Sequence, residues 1–330
     1  GFAVFTINPK QLDRFRDRHT VAGAKDDRRD AYVLAASLRC DGHLFRRLKL
    51  DDPTLIELRE FSRIRDDLVG ELRRLANQLR QQLHRYFPQV LRLSPSADEP
   101  WIWALLKAAS TPVAADRLSP HRLQKILPEH RIRRIGLLQV AETLADDALP
   151  VAPGVTDAAS AHVKLLLPRL ELVHEQLKDC ERNLDGLLRK MQCDQGDSDK
   201  PEHREVRVLL SLTGIGRSVA ATMLAEASEH LCNADYSSLR SLSGVAPVTK
   251  SSGKGHYVLM RRACNHRLRN AVYHMARTHV IHDSVGRQRY DAMRKRGLGH
   301  ARALRGVADR ILRILVAMIR TNTLYNPAVA

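Results

Sequence analysis

The sequence predicts a mostly α-helical protein with a partial α/β layer at its start, a helical middle of coiled-coil periodicity and a helical C-terminal region. Three observations carry this. The first fifty residues alternate β-rich and helical stretches, two long leucine stripes recur between residues 68 and 191, and the chain beyond a polar break at 194–202 is apolar at helical spacing almost throughout.

FAVFTI (2–7) is β-branched and aromatic, stops at Asn8-Pro9, and reads as a buried strand. A chain that opens in mid-domain without an initiator Met reads as a fragment of a longer protein. QLDRFRDR (11–18) is a short helix, and DDRRDAYVLAASLR (26–39) a longer one with aspartates in its first turn, where the dipole favours them. HLFRRLKL (43–50) is expected as a second strand.

From Pro53 the pattern changes. Leu68, Leu72, Leu75, Leu79 and Tyr86 follow a near-heptad spacing up to Pro88. WIWALLKAAS (101–110) and SPHRLQKILPEHRI (119–132) predict several short helices. Leu166, Leu170, Val173, Leu177, Cys180, Leu184, Leu187 and Met191 then alternate steps of four and three, the seam of a coiled coil. Pro168 suits a first turn, so this helix is expected to begin near it. The two stripes can pair with each other or with another subunit. DQGDSDKPE (194–202) marks a boundary, giving regions 1–52, 53–200 and 201–330, the last with helices on 206–212, 218–231, 265–281 and 300–321.

The charge balance is unusual: 54 Lys+Arg against 37 Asp+Glu give +17. Such a surplus points to a polyanionic partner, nucleic acid foremost, because neutralising phosphates releases condensed counterions. Five dispersed cysteines without a C-x-x-C pair suggest a reducing compartment and no structural zinc. Nothing reads as a signal peptide, and the longest apolar run, ILRILVAMI (311–319), is interrupted by Arg313, so a cytoplasmic protein without membrane association is expected. His279 and His282 lie three apart on a helix without an evident third metal ligand.

Three motifs carry chemistry. In LTGIGRSVAATMLAE (212–226), Gly214 and Gly216 bracket Ile215 between helical segments, the pattern of a helix-hairpin-helix. Its glycines either let backbone amides approach a phosphate, with Arg217 adding charge, or only tighten a turn. In DDRRD (26–30), Asp27 and Asp30 are one helical turn apart. They either share a Mg²⁺ or complement the dipole and pair with Arg28 and Arg29.

The third motif is SGVAPVTKSSGKG (243–255), read as a loop. It sets Ser251 and Ser252 between Lys250 and Lys254, with Arg261, Arg262, Arg267 and Arg269 just beyond. A serine becomes a nucleophile when its proton is removed and its target phosphate polarised, and neighbouring cations supply the second condition. The alternative is a loop whose serines only donate hydrogen bonds to phosphate. SSGKG lacks the glycine spacing of a P-loop.

Together GAKDDRRDAYVLA (23–35), LTGIGRSVAATMLAE and SLSGVAPVTKSSGKGHYVLMRRACNHRLRNAVYHMAR (241–277) resemble the insertion-sequence transposases that join a RuvC-like DEDD domain to a C-terminal serine-bearing transposase domain, the bridge-RNA-guided recombinases. The resemblance covers nearly the whole chain. It implies a partial RuvC-like (RNase H-like) domain over 1–52, with Asp27 and Asp30 as the last two acids of a Mg²⁺-binding tetrad. It implies Ser252 as the nucleophile that becomes joined to DNA, with Ser251 the adjacent alternative.

The same resemblance implies a guide RNA that selects donor and target DNA, and dimers that assemble through the coiled coil. DNA contacts are expected at Gly214, Gly216, Arg217, Lys250, Lys254, Arg261, Arg262 and Arg267. The family's first Asp and its Glu lie on strands that precede residue 1, so residues 1–330 alone are expected to be inactive. Two rivals from other classes are a non-catalytic helix-hairpin-helix nucleic-acid-binding protein and a RuvC-type nuclease that uses water and needs Asp27 and Asp30 but not Ser252.

Overall fold

The computed structural model describes residues 2–19, 26–47, 52–146, 150–152, 154–193, 201–253 and 255–327. The chain divides into two compact units, residues 1–53 and 54–330.

In the first unit, strand β1 (Phe5–Thr6) is followed by helices α1 (Pro9–Asp17) and α2 (Asp27–Asp41), a 3-10 turn (Gly42–Leu44) and strand β2 (Arg46–Arg47). Asn8 caps α1 by accepting from the Lys10 amide at 2.9 Å, with Pro9 at the first helical position. Asp26 caps α2 in the same way. The strands are much shorter than expected. Among the described residues Phe5↔Arg47 and Thr6↔Arg46 pair, antiparallel, and Phe2 is fully exposed. FAVFTI is therefore not a buried strand: Phe2, Ala3, Val4 and Thr6 are exposed, Phe5 and Ile7 only half-buried, and among the described residues it pairs through Phe5 and Thr6 alone. HLFRRLKL becomes the 3-10 turn and β2, and 48–50 lie outside the described residues.

The second unit opens with α3 (Pro53–Tyr86), followed by α4 (Gln89–Leu93), α5 (Pro100–Ala108), α6 (Pro112–Asp116), α7 (Pro120–Glu129) and α8 (Leu137–Ala145). Proline stands at the first turn of α5, α6 and α7, where its missing N–H costs nothing, and this explains the run of short helices. The long α9 (Val155–Cys193) comes next. It does not begin near Pro168 but runs through it. Pro168 lies on the solvent side while Val163, Leu166, Leu167 and Leu170 are buried, so the proline ring stays off the packed face and the apolar face holds the helix together.

The leucine stripes are buried within the chain. Leu75, Leu79, Leu166, Leu170 and Val173 share one core with α4–α8, and Cys180, Leu184, Leu187 and Met191 share a second with Leu55, Leu58 and the C-terminal helices. The Cys180 thiol donates to the Phe61 carbonyl at 3.3 Å, and Arg65 donates to Glu181 at 3.1 Å, so α3 and α9 meet side by side.

The rest comprises α10 (Pro201–Ser211), α11 (Arg217–Cys232), α12 (Tyr236–Leu242), the antiparallel strands β3 (Val248–Ser252) and β4 (Gly255–Leu259), α13 (His266–His282), α14 (Ser284–Lys295) and α15 (His300–Thr321). Of the expected linker 194–202, residues 194–200 lie outside the described residues, and Pro201 already starts α10. Buried residues of α10, α11, α13 and α15 fill the second core, with α15 contributing Leu304, Val307, Ile311, Leu312 and Leu315 along one face. No helix among the described residues is long and apolar enough to cross a membrane.

Candidate nucleic-acid interface

The serine pair is not in a loop. Ser251 and Ser252 end strand β3, and the register Lys250↔Tyr257, Ser251↔His256, Ser252↔Gly255 makes them the tip of a β-hairpin. Gly253 turns the chain at φ +54°, with open space where a Cβ would stand; Lys254 lies outside the described residues. What looked like loop composition is a strand because HYVL supplies a β-prone partner and Gly253 the left-handed turn residue.

Neither face of this hairpin is covered. Apart from half-buried Val248 and Gly255, every described residue of both strands is exposed, Tyr257 at 64% and Val258 at 55%. An isolated two-stranded hairpin is marginal in water, so its stability must come from its base. There Arg261 donates to the Ala246 carbonyl at 3.3 Å and the Ala246 amide to the Arg240 carbonyl at 2.9 Å. The Asn265 amide bonds Leu242 at 2.8 Å, and its side chain both caps α13 and donates to Glu226 at 2.6 Å. Gly244, at φ +72°, lies so close to Cys264 that a Cβ would stand 2.9 Å from the sulfur. The base is pinned and the tip projects.

Strand alternation separates the serines. Ser252 shares a face with Lys250 and, across the ladder, Tyr257; Ser251 shares the other with Thr249 and directly opposes His256. Sequence reasoning missed His256 and Tyr257, although the aromatic and β-branched residues of HYVL favour a strand.

The expected DNA-binding arginines divide. Arg262 is exposed and has no ion-pair partner among the described residues. Arg261 braces the hairpin. Arg267 pairs with Asp66 at 3.3 Å and Asp67 at 3.7 Å, tying α13 to α3. Burial pushes the Asp66 carboxyl above its ordinary range, and Arg267 and Arg65 work against that rise. Arg217 is paired with Asp185. Arg267 and Arg217 are therefore partly neutralised inside the protein.

The G-I-G stretch forms the turn between α10 and α11. Gly214, at φ +105°, is pressed against α13: a Cβ there would lie 2.6 Å from the Met275 carbonyl oxygen and 3.0 Å from the His279 amide. His279 locks the same turn, its Nδ1 2.7 Å from the Thr213 carbonyl and its Nε2 3.4 Å from Asp283. Only Gly216, exposed at the N-terminus of α11 with no side-chain cap, presents backbone outward.

In the first unit Asp27 and Asp30 occupy the first turn of α2, but their surroundings differ. Asp27 is exposed, whereas Arg16 grips Asp30 in a fork, Nε to Oδ1 at 2.6 Å and Nη2 to Oδ2 at 2.5 Å. The hydrogen bond to Asp30 raises the Arg16 pKa. Carboxylate oxygens suit a hard divalent cation, but two residues from one turn are too few for its shell, and at Asp30 a cation would meet the Arg16 guanidinium. Among the described residues no group of three or more His, Cys, Asp or Glu could hold a metal.

Comparison with known proteins gives a consistent picture. Residues 1–88 match the model of the IS110 DEDD transposase, described as a transposase, and residues 206–291 match one described as a transposase of the IS116/IS110/IS902 family. A DEDD domain of this kind points to divalent-metal use in general. "Putative transposase y4uE" of Sinorhizobium fredii is 49% identical over 148 residues, 45% of this chain and 41% of that protein. "Mini-circle putative transposase for IS117" of Streptomyces coelicolor is 30% identical over 325 residues, 94% of this chain and 74% of that protein. The insertion element IS110 uncharacterized 43.6 kDa protein of the same organism is 30% identical over 305 residues, 92% of this chain and 72% of that protein.

Proposed function

This chain belongs to the IS110/IS116 transposase family, and we propose that it serves DNA strand exchange of an insertion sequence through a covalent serine–DNA intermediate, with Ser252 as the nucleophile. The observation that carries this is the hairpin. It holds Ser252 at an exposed tip, on the same face as Lys250, on an arm whose base is fixed. A phosphodiester reaches such a serine without steric obstruction.

In this mechanism the Ser252 Oγ forms a bond to phosphorus, one bridging P–O bond breaks, the serine proton is released and the departing sugar oxygen gains a proton. Lys250, on the face of Ser252, would neutralise charge on the phosphate, while exposed Arg262 beyond the base of the hairpin and the Gly216 backbone at the start of α11 would hold flanking DNA. Arg217, Arg261 and Arg267 act mainly by holding the scaffold, and Gly214 by packing it. Asp27 and Asp30 would hold Mg²⁺ together with other ligands, and that ion would polarise a phosphate oxygen. Asp30 is already held by Arg16, so the ion would share that carboxylate with the guanidinium or compete with it.

The RuvC-like character of 1–52, the helix-hairpin-helix role of the 212–216 turn, the 53–200 and 201–330 division and guidance by RNA belong to this proposal. A homo-oligomer in this scheme uses faces other than the leucine seam, which is buried within the chain.

The test incubates the whole gene product and its co-expressed element RNA with element-end and target DNA and Mg²⁺, followed by a denaturing gel. The proposal expects an adduct with wild type and none with Ser252→Ala. Free cleaved DNA in both lanes and no adduct makes water the nucleophile and favours a nuclease; unchanged DNA with intact binding in both favours a non-catalytic binder.

A further inference from the structure

Beneath β4, where the hairpin joins the helices, two adjoining hollows of about 180 and 250 Å³ share Gly244, Val245, Met260 and Arg305. The smaller is an apolar slot between α13 and α15, walled by Val272, Leu304 and Ala308, with the 41% exposed Tyr273 ring also lining it. At 180 Å³ it falls below the ~300 Å³ at which sites for drug-sized ligands begin, so it takes one ring system.

Its polar surroundings are one-sided. Of the arginines around the two hollows, Arg240 is held by Asp309 and Arg261 by the Ala246 carbonyl. Arg269 bonds only the His266 ring, and Arg302 and Arg305 have no ion-pair partner among the described residues. Arg269 and Arg305 thus line a slot sized for one flat ring, and Arg302 lines the adjoining hollow, where the Asp309 carboxylate is taken up by Arg240.

We propose that this slot receives a single unstacked nucleobase from a single-stranded segment, stacked against Tyr273, with the flanking phosphates on Arg302 and Arg305. The inference rests on the nucleic-acid role proposed above and goes beyond it in assigning a base-binding pocket away from the serine. An extruded base is what an aromatic-lined, arginine-bordered slot selects, because stacking tolerates any base and the cations follow the backbone. A second copy of this chain, at +17, is repelled by the same cations.

The probe is a 15-mer single strand carrying 5-iodouracil throughout, in DNA and RNA forms, with an all-abasic strand of equal length as control. Affinity is read by anisotropy and photo-crosslinks are mapped by peptide mass. Wild type is expected to crosslink at Tyr273 or Met260 with either or both strands, and to bind the base-bearing strand more tightly than the abasic one. Ala308→Phe, which fills the slot, and Tyr273→Leu, at a partly exposed position where folding is not at risk, should each lose that crosslink. They should weaken the base-bearing strand on the order of tenfold and leave the abasic strand unchanged.

Strand binding with crosslinks confined to the hairpin, or equal loss for both strands, overturns the pocket but leaves the nucleic-acid role standing. Absence of binding to any strand overturns both. Loss of self-association in Ala308→Phe, with strand affinity intact, assigns the slot to a second copy and also overturns the proposal.

Discussion

The turn at 212–216 and the hairpin at 248–259 look alike in sequence: each puts two glycines beside a basic residue, and each invites a phosphate. In the fold they are opposites. Gly214 and Gly253 both have positive φ, but Gly214 has the Met275 carbonyl and the His279 amide where a side chain would go, while Gly253 has open space. A glycine records that the backbone is turned or crowded; it does not say whether the crowding neighbour is the protein itself or a ligand. At Gly214 the neighbour is α13. At the hairpin tip the neighbouring volume is free for a partner.

The largest effect that tests this contrast is chemical. Ser252→Ala should reduce strand exchange by at least ~10³-fold while leaving DNA affinity unchanged, because it removes the nucleophile and little else. Ser251→Ala, on the opposite face, should keep most activity; the reverse pattern makes the Ser251–His256 pair the reacting one.

Next comes stability. Gly214→Ala meets both a disfavoured φ and a backbone clash, and should cost about 3 kcal/mol or more in denaturant unfolding. Gly253→Ala meets only the φ strain, about 1 kcal/mol, confined to the hairpin tip. Equal losses at the two sites erase the distinction between them.

A third prediction concerns pH. Burial works against the charged form of Asp283, but the Gly286 amide, the Tyr325 hydroxyl and His279 outweigh it and hold the carboxyl below its ordinary range. A carboxylate with a depressed folded pKa stabilises above its unfolded pKa, near ~3.9, and loses that contribution as pH falls through the folded value. Tyr325→Phe removes one of these donors, should cost about 1–2 kcal/mol at neutral pH, and should move acid unfolding to higher pH. An unchanged acid midpoint contradicts the role given to this cluster in clamping the 212–216 turn.

The smallest effects separate the arginines. Arg262→Ala should lower the salt dependence of DNA binding by about one counterion and leave stability unchanged. Arg267→Ala should cost up to ~1 kcal/mol of stability, since it removes a partner of Asp67 and leaves Asp66 to Arg65, and should change the salt slope less.

Much of the helical framework was legible. The aspartates at the start of 26–39 announced α2, the prolines announced the short helices, and the 3–4 leucine stripes announced α3 and α9, whereas the capping by Asn8 and Asp26 emerged only in the fold. What escaped depended on partners distant in sequence. Pro168 is tolerated because of which side of α9 meets solvent, and the exposure of Phe2 to Val4 depends on what packs over β1, not on its own residues. The serines joined a strand because His256 to Leu259 bond across from them. At the site, the residue types at Asp27, Asp30 and Ser252 were readable, but the grip of Arg16 on Asp30 was not. Nor did spacing show that Arg302 and Arg305, from α15, gather under a hairpin more than forty residues earlier.

The most direct measurement maps the covalent bond. After reaction of the whole gene product with its DNA, nuclease digestion leaves a nucleotide on the attacking residue. Cleavage after Lys250 and Lys254 isolates the tetrapeptide 251–254, which fragment-ion mass spectrometry can sequence. The account predicts the nucleotide mass on Ser252. Its appearance on Ser251, or on any residue outside the hairpin, contradicts it.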